Sequence, residues 1–486
     1  MADARSVQDY IDELPAWADG TAVGTAPMTA MQWRIWWLAA AGKFFEGFVV
    51  FMTGVALPLI GREFQIRPAD SGLISAATLF GILVGAIALG GLADYFGRKR
   101  MFVIEMVIFV VFLVTLTISQ SALTIAASLF GLGLALGCDY PTAHMMISEN
   151  IPSSTRGRLV LGAFGFQAVG ALVGTAVGFV VLSHAPVLDA WRWMFATVFI
   201  PALAVAVGRF YVTESAHWLL ARGKVAPAER AMTKLLLRRP QYPQKIRLVE
   251  RAAHLVKHAR NAHIGRLFTA GHNRRATILA SVPWFLQDLS TYGIGIFTPT
   301  LLAVAFGAPP AHLRSTSDLI ASDILAAKGA AAISSLLIAG VAAAIVLSDR
   351  VGRIKLQITG FAGCAAGLLI AALSTGFSDG ARIGLIFAGF ILFDFMTNLG
   401  PNSQTYLLAG EVFPTEIRGM GAGFAAAFAK IGAVLTAFFF PVLLHAIGTR
   451  ALLGWLVGAS LVGALITWLF RIETTGVQLD RIGEAG

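Results

Sequence analysis

Cysteine is almost missing from this chain of 486 residues: Cys138 and Cys364 stand alone, both in apolar stretches. That count excludes a disulfide framework and a thiolate metal site. Charge is scarce too. Asp, Glu, Lys and Arg together make up 13% of the residues, about half the share of an ordinary soluble domain. With 57% hydrophobic residues and a mean hydropathy of +0.74, the chain is too apolar to live in water and long enough for many membrane spans. Acidic residues are rare where bases collect. Arg222 to Arg275 holds 14 Lys/Arg against 2 Asp/Glu, so this one segment accounts for the formal charge of +10. A single basic loop between apolar blocks reads as membrane topology, not as a nucleic-acid surface. No Ser/His/Asp arrangement, phosphate-cradling glycine loop or metal-ligand spacing is present. Gly97-Arg98-Lys99 lacks the spacing of a nucleotide loop. These absences argue against an enzyme, a cofactor or direct coupling to ATP. The first thirty residues lack a basic start and carry Asp3, Asp9, Asp12, Glu13 and Asp19. They do not resemble a cleavable leader and are expected to form a cytoplasmic tail.

What is abundant is apolar sequence in blocks of spanning length. The blocks fall at 33–60, 72–92, 101–118, 122–148, 159–182, 191–211, 276–306, 326–347, 354–375, 381–408, 419–446 and 449–470. Blocks of roughly 18 to 30 residues cross a bilayer with some tilt, and there only a helix satisfies its own backbone. The expected fold is an all-α membrane protein of twelve transmembrane helices in two six-helix bundles. Its 51 glycines allow close helix contact. The expected divisions are an N-terminal tail (1–30), a first bundle (31–212), a basic central loop (213–275), a second bundle (276–471) and a C-terminal tail (472–486). Arg98, Lys99 and Arg100 follow the second block, Arg156 and Arg158 the fourth, and the basic loop the sixth. Arg350, Arg353 and Lys355 follow the eighth and Arg418 the tenth. The alternate loops are short and nearly neutral, so the positive-inside bias puts the even-numbered ends and both termini in the cytoplasm. Helical patterns run around Pro227–Leu237 and Arg247–His263. His254, His258 and His263 read as part of a solvated basic helix, not a metal site.

The sequence also repeats itself. Asp94-x-x-Gly97-Arg98 recurs as Asp349-x-x-Gly352-Arg353. Glu149-x-x-Pro152-x-x-x-Arg156-Gly157 recurs as Glu411-x-x-Pro414-x-x-x-Arg418-Gly419, and Glu214-Ser215 is echoed by Glu473-Thr474. Three correspondences in one order, at nearly one offset, indicate parallel repeats about an axis along the membrane normal.

An ionisable group in a spanning helix is costly and usually faces a cavity, a partner or an ion path. The set here is Lys43, Glu46, Glu105, Asp139, His144, Asp288, Asp394 and Lys430. Asp139 sits in Gly137-Cys138-Asp139-Tyr140-Pro141, where proline is expected to bend the helix. It is either a carboxylate bonded within the bundle or a proton carrier beside a substrate-contacting tyrosine. Trp284, Asp288 and Tyr292, spaced by four, share a helix face. They offer a shaping ring, a protonatable acceptor and a hydroxyl. Lys430, in an otherwise apolar helix, needs a counter-charge, and Asp288 is its expected partner. Gln167 and Asn402 bond either substrate oxygens or another helix. Charges dispersed over pseudo-symmetric helices fit a carrier better than a channel.

The run Gly90-Gly91-Leu92-Ala93-Asp94-Tyr95-Phe96-Gly97-Arg98-Lys99-Arg100 resembles the signature of the major facilitator superfamily between its helices 2 and 3. The arginine-glycine and glutamate motifs resemble its sugar-porter-like branch. This resemblance covers nearly the whole chain after residue 30 and implies that family's fold and alternating access. The site motifs are similar to those of proton-coupled inorganic phosphate symporters: Gly-x-Asp-Tyr-Pro, Trp-x3-Asp-x3-Tyr, Gly400-Pro401-Asn402 ahead of Gly410-Glu411-x-Phe413-Pro414-Thr415, and Lys430-x-Gly432-Ala433. By that resemblance Tyr140, Gln167, Trp284, Asp288, Tyr292 and Asn402, with Lys430 beside Asp288, surround the substrate. Glu46, Asp139 and Asp288 handle protons. Asp94, Arg98, Arg156, Glu214, Asp349, Arg353, Glu411, Arg418 and Glu473 form a cytoplasmic gate. Glu46 stands where that family has aspartate, Val49 where it often has a second acid, and Cys138 where it has glycine. The wider frame also resembles bacterial metabolite:proton symporters. The expectation is therefore a monomeric proton symporter of the bacterial inner membrane, neither an enzyme nor cofactor-dependent, with no nucleic-acid partner. Inorganic phosphate is the favoured cargo. A sugar, an aromatic acid or another carboxylate is the alternative.

Overall fold

The computed structural model describes residues 5–14, 26–89, 92–237, 246–248, 265–269, 271–305, 315–377, 379–414 and 417–475. Among these, ten helical stretches are long and apolar enough to cross a membrane. Two facts bring the count to twelve. The stretch Arg418–Leu469 divides at Gly448, whose φ of 77° lies outside the helical range. Gly271–Ala305 is a further 35-residue helix, with the polar residues Gln287, Asp288, Thr291 and Tyr292 near its middle.

We number the spans α1 (Ala30–Glu63), α2 (Pro68–Val84, continued by one π turn, Gly85–Leu89), α3 (Arg98–Thr117), α4 (Ala122–Ser148), α5 (Ser153–His184) and α6 (Ala190–Ala196 with Phe199–Phe210). The second half holds α7 (Gly271–Ala305), α8 (Thr316–Val351), α9 (Arg353–Leu373), α10 (Asp379–Leu399 with Pro401–Glu411), α11 (418–447) and α12 (449–469). The blocks read from the sequence land on these spans. The largest difference is α8, which starts ten residues early. Ser315 Oγ caps it by accepting from Asp318 N at 3.1 Å, and Asp318, Asp323 and Lys328 give its first turns a polar look. Pro141 does not break α4, which runs continuously through it. The break comes in α10 instead, at Gly400-Pro401, where the proline has no N–H to give.

The halves meet along α1–α7, α2–α11 and α5–α8. Close approach inside the first half rests on glycine. A Cβ on Gly47 of α1 would strike the Gln167 carbonyl of α5, and one on Gly170 would strike the Phe44 carbonyl. This reciprocal contact brings Glu46 and Gln167 side by side.

Outside the bilayer spans, Val225–Leu235 is helical, as the pattern at Pro227–Leu237 suggests. The second loop helix, with His254, His258 and His263, lies outside the described residues. Part of the segment expected to be a tail is folded. Helix Val7–Asp12 buries Val7, Tyr10 and Ile11. Tyr10 Oη accepts from Arg247 N at 3.0 Å, and the Asp12 carboxylate accepts from Ser153 N at 2.7 Å. An anion there suits the N-terminus of α5.

Candidate transport site

Five donors meet around one carboxylate at the interface of the two halves. Glu46 of α1 is 1% exposed. Its Oε1 accepts from Tyr292 Oη of α7 at 2.8 Å, Tyr140 Oη of α4 at 3.1 Å and Gln167 Nε2 of α5 at 3.3 Å. Lys430 Nζ of α11 lies 3.7 Å from the same oxygen. Glu46 Oε2 accepts from Lys43 Nζ, one turn back on α1, at 3.1 Å. Lys430 in turn donates to Asp288 Oδ2 at 3.0 Å and to Tyr292 Oη at 2.8 Å. The Tyr292 hydroxyl also accepts from Gln167 Nε2 at 2.9 Å. Asp288 and Tyr292 reach one lysine because they sit one turn apart on α7. Two ammoniums thus face two carboxylates, and the buried cluster is neutral with all four ionised, the condition under which burial of charge is tolerable. The rings of Tyr140 and Tyr292 add their faces to the two ammoniums.

Beside this cluster lies a cavity of about 20 Å³, room for one water-sized group. Phe51, Gln167, Thr291, Tyr292, Asn398 and Asn402 line it. Asn402 stands in the first turn after the α10 break and donates to Asn398 Oδ1 at 2.8 Å. Trp284 is one layer away and does not line it. Its ring meets the Tyr406 ring edge-on at 6.1 Å. Tyr406 stacks on Phe164 at 4.4 Å, and its hydroxyl lies 3.1 Å from His144 Nδ1.

Asp139 is elsewhere. Its neighbour Tyr140 faces Glu46, whereas Asp139 turns to α6, since adjacent helical positions diverge by about 100°. Asp139 Oδ1 accepts from Arg209 Nη2 at 2.7 Å, and Glu105 Oε1 of α3 accepts from Arg209 Nη1 at 2.6 Å. Arg209 is fully buried. One guanidinium therefore serves both carboxylates. Arg209 is absent from the sequence-derived set because Gly208-Arg209-Phe210-Tyr211 looks like the basic exit of a span. The signal that points to such a cation is the pair Glu105 and Asp139, two acids with no lysine or arginine in the apolar blocks 101–118 and 122–148 that hold them. Lys43 belongs to the site through Glu46, although the family resemblance does not name it.

At the end of the bundle bearing the loops after the even-numbered helices, two matching networks appear. In the first half Arg98 Nη2 lies 3.2 Å from Glu149 Oε1, Ser215 Oγ donates to Glu149 Oε2, and Glu214 Oε1 accepts from Lys99 N at 3.0 Å. In the second, Arg353 Nε lies 3.3 Å from Glu411 Oε2, Thr474 Oγ1 donates to Glu411 Oε2 at 2.5 Å, and Glu473 Oε1 accepts from Arg353 N at 3.0 Å. Each turn is made by a glycine in the left-handed region, Gly97 (φ 108°) and Gly352 (φ 99°), and at each a side chain would press on the same glutamate. Burial opposes ionisation of Glu473, but the bonds it accepts from Thr475 Oγ1 and from the N–H groups of Arg353, Thr475 and Ile354 outweigh it, holding this carboxyl below its usual range. Asp349 accepts from Arg353 Nη1 at 2.7 Å. Arg156 stands apart from these acids, donating to Ile151 O at 3.5 Å. Glu149 pairs with Arg98 here, a role that its place in the repeat does not by itself announce. The side chains of Asp94 and Arg418 lie outside the described residues. Among the described residues the ion pairs at this end join helices of one half only.

Twelve spans in two related halves, with a charged cluster at their interface, define a polytopic membrane transporter of the major facilitator fold. The chain belongs to the sugar (and other) transporter family, whose model matches residues 36–485. It is a transporter and not an enzyme. Over 472 residues it is 28% identical to the inner membrane metabolite transport protein YgcS of Escherichia coli, covering 95% of this chain and 96% of the relative. It is 27% identical to a probable inorganic phosphate transporter 1-12 of Oryza sativa, covering 92% and 91%. In fold it is similar to the proton:xylose symporter XylE, with a TM-score of 0.72 at 21% identity over 93% of this chain and 98% of that one.

Proposed function

We propose that the chain is a proton-coupled symporter of a small oxyanion, inorganic phosphate foremost, working by alternating access of its two halves. One observation carries the reading: hydroxyl, amide and ammonium donors from α4, α5, α7 and α11 converge on one buried carboxylate oxygen. Donors gathered on one oxygen suit an oxyanion that offers several acceptor oxygens and brings no hydroxyl hydrogen of its own to place, as a sugar would. The likeness to a phosphate transporter along most of the chain supports the same cargo. The aromatic layer of Trp284, Tyr406 and Phe164 favours a second reading, a small carboxylate metabolite.

In this proposal Tyr140, Gln167, Trp284, Asp288, Tyr292, Asn402 and Lys430 contact the substrate, and Glu46, Asp139 and Asp288 hold protons. An anion is repelled by ionised carboxylates in a dry centre. Protonation removes the repulsion and supplies a donor, so proton and anion strengthen each other's binding. The cavity is too small for the anion, and loading requires the halves to part. The even-loop end, with both chain ends, faces the cytoplasm of a bacterial inner membrane, where its basic residues belong. There the networks around Arg98 and Arg353 brace each half, with Asp94, Arg156, Glu214, Asp349, Glu411, Arg418 and Glu473 completing the gate. The monomer suffices, since one chain holds the whole site.

The test is uptake into proteoliposomes of phosphate, an aromatic acid, another carboxylate and xylose, with and without an imposed proton gradient. Saturable phosphate uptake driven by an alkaline interior and abolished by Asp288→Asn is expected. Preference for the sugar, or full uptake by Asp288→Asn, overturns the reading.

A further inference from the structure

We infer that Glu46 is an internal occupant of the anion site, its carboxylate filling donors that the transported oxyanion takes over, and that Lys43 is the second cation that then binds the substrate. The inference rests on the oxyanion-symport reading. Its ground is that Glu46 Oε1 is oversubscribed. Three hydrogen bonds and an ammonium converge on an oxygen with two lone-pair sites. Lys430 is left at 3.7 Å, beyond hydrogen-bond reach. Five donors from five helices crowd onto this one side chain, three of them on a single oxygen, an arrangement that suits a group with more oxygens. Nor can the two coexist: the neighbouring cavity holds about 20 Å³, one water's worth.

Charge dictates the order of exchange. The groups facing Glu46 are Lys43 on its own helix, Tyr140 on α4, Gln167 on α5, Asp288 and Tyr292 on α7, and Lys430 on α11. With Glu46 ionised the cluster is neutral. One proton on Glu46 leaves a net charge of +1, which a monoanion cancels. Lys43 is most affected, because Glu46 is its one hydrogen-bonding partner among the described residues. Lys43 also faces the rings of Tyr140 and Phe164 and lies within the electrostatic reach of Asp139 and Lys430. Lys430 keeps Asp288 throughout. The exchange is thus one proton in for each negative charge in, with Lys43 changing carboxylate for substrate.

The experiment is calorimetric titration of the purified full chain with inorganic phosphate, in buffers of different ionisation enthalpy, over a pH range where the charge of phosphate is constant. For the wild type, binding is expected to take up a proton and to weaken about tenfold per pH unit once Glu46 is ionised. Glu46→Gln is expected to take up one proton fewer and to bind at high pH as the wild type does at low pH. Lys43→Met is made in the Glu46→Gln background, so that no buried carboxylate is stranded, and is expected to weaken phosphate by about ten- to a hundredfold relative to Glu46→Gln alone. Lys43→Arg in that background restores most of this loss. An unchanged proton count in Glu46→Gln, or equal affinity with and without Lys43, overturns the inference while the oxyanion reading stands. A wild type that binds no oxyanion at any pH overturns both.

Discussion

Lys430 can stay charged inside the second half because Asp288 lies 3.0 Å away and the Tyr292 hydroxyl accepts its second bond. Removing one member of such a pair strands the other. Lys430→Met is expected to cost about 3–5 kcal/mol, read as a lowered melting temperature in detergent. Adding Asp288→Asn should return most of the stability and none of the transport. If the single and double variants melt alike, the pair is not holding the helices. This partnership was legible in the sequence because each residue is a lone charge in an apolar helix, and two such charges of opposite sign suggest one another. The division of labour among the acids was not. Asp139 and Tyr140 are neighbours in sequence, and only helical geometry sends one to Arg209 and the other to Glu46. Which of them shares a centre with Asp288 depends on which helices pack together, information a single chain pattern does not carry.

At the scale of elements, the α1–α5 crossing decides whether the site exists. Gly47 and Gly170 touch opposing carbonyls, so a larger residue moves a whole helix rather than one side chain. Gly47→Val is expected to lower melting temperature and to disable solute binding together, because Glu46 and Gln167 separate. Gly458→Ala in α12, where an added Cβ meets nothing within 4 Å, serves as the control and should stay within about 1 kcal/mol of wild type. Equal tolerance at both positions would show that the crossing is looser than drawn. The spans themselves could be read from hydropathy because the bilayer imposes one length on every helix. Their exceptions mark where polar work displaces apolar sequence. α7 is the helix that carries Asp288 and Tyr292, α8 begins with acids, and α10 is interrupted at Gly400 just before Asn402.

For the whole molecule, the paired networks at the even-loop end tie each half to the segment that leaves its last helix. Glu473 holds the backbone of Arg353 and Ile354. Its carboxyl is held low in the folded protein, so this tie is fully present above the usual carboxylate range and weakens as pH falls through the lowered value. Hydrogen exchange of the Arg353 and Ile354 amides, compared with Glu473→Gln at each pH, should show wild-type protection exceeding the variant's near neutrality and the difference vanishing in acid. A difference that persists in acid would assign the protection to other contacts. The repeat announced these networks through Arg98 with Arg353 and Glu214 with Glu473. It did not say that their ion pairs brace each half separately.

The crowded centre has a consequence for leakage. The space for one water, walled by side chains bonded to each other, gives this point of the interface little solvent through which a proton could pass. In the proposed symport this crowding serves as insulation, with the gradient spent only when a passenger pries the cluster apart.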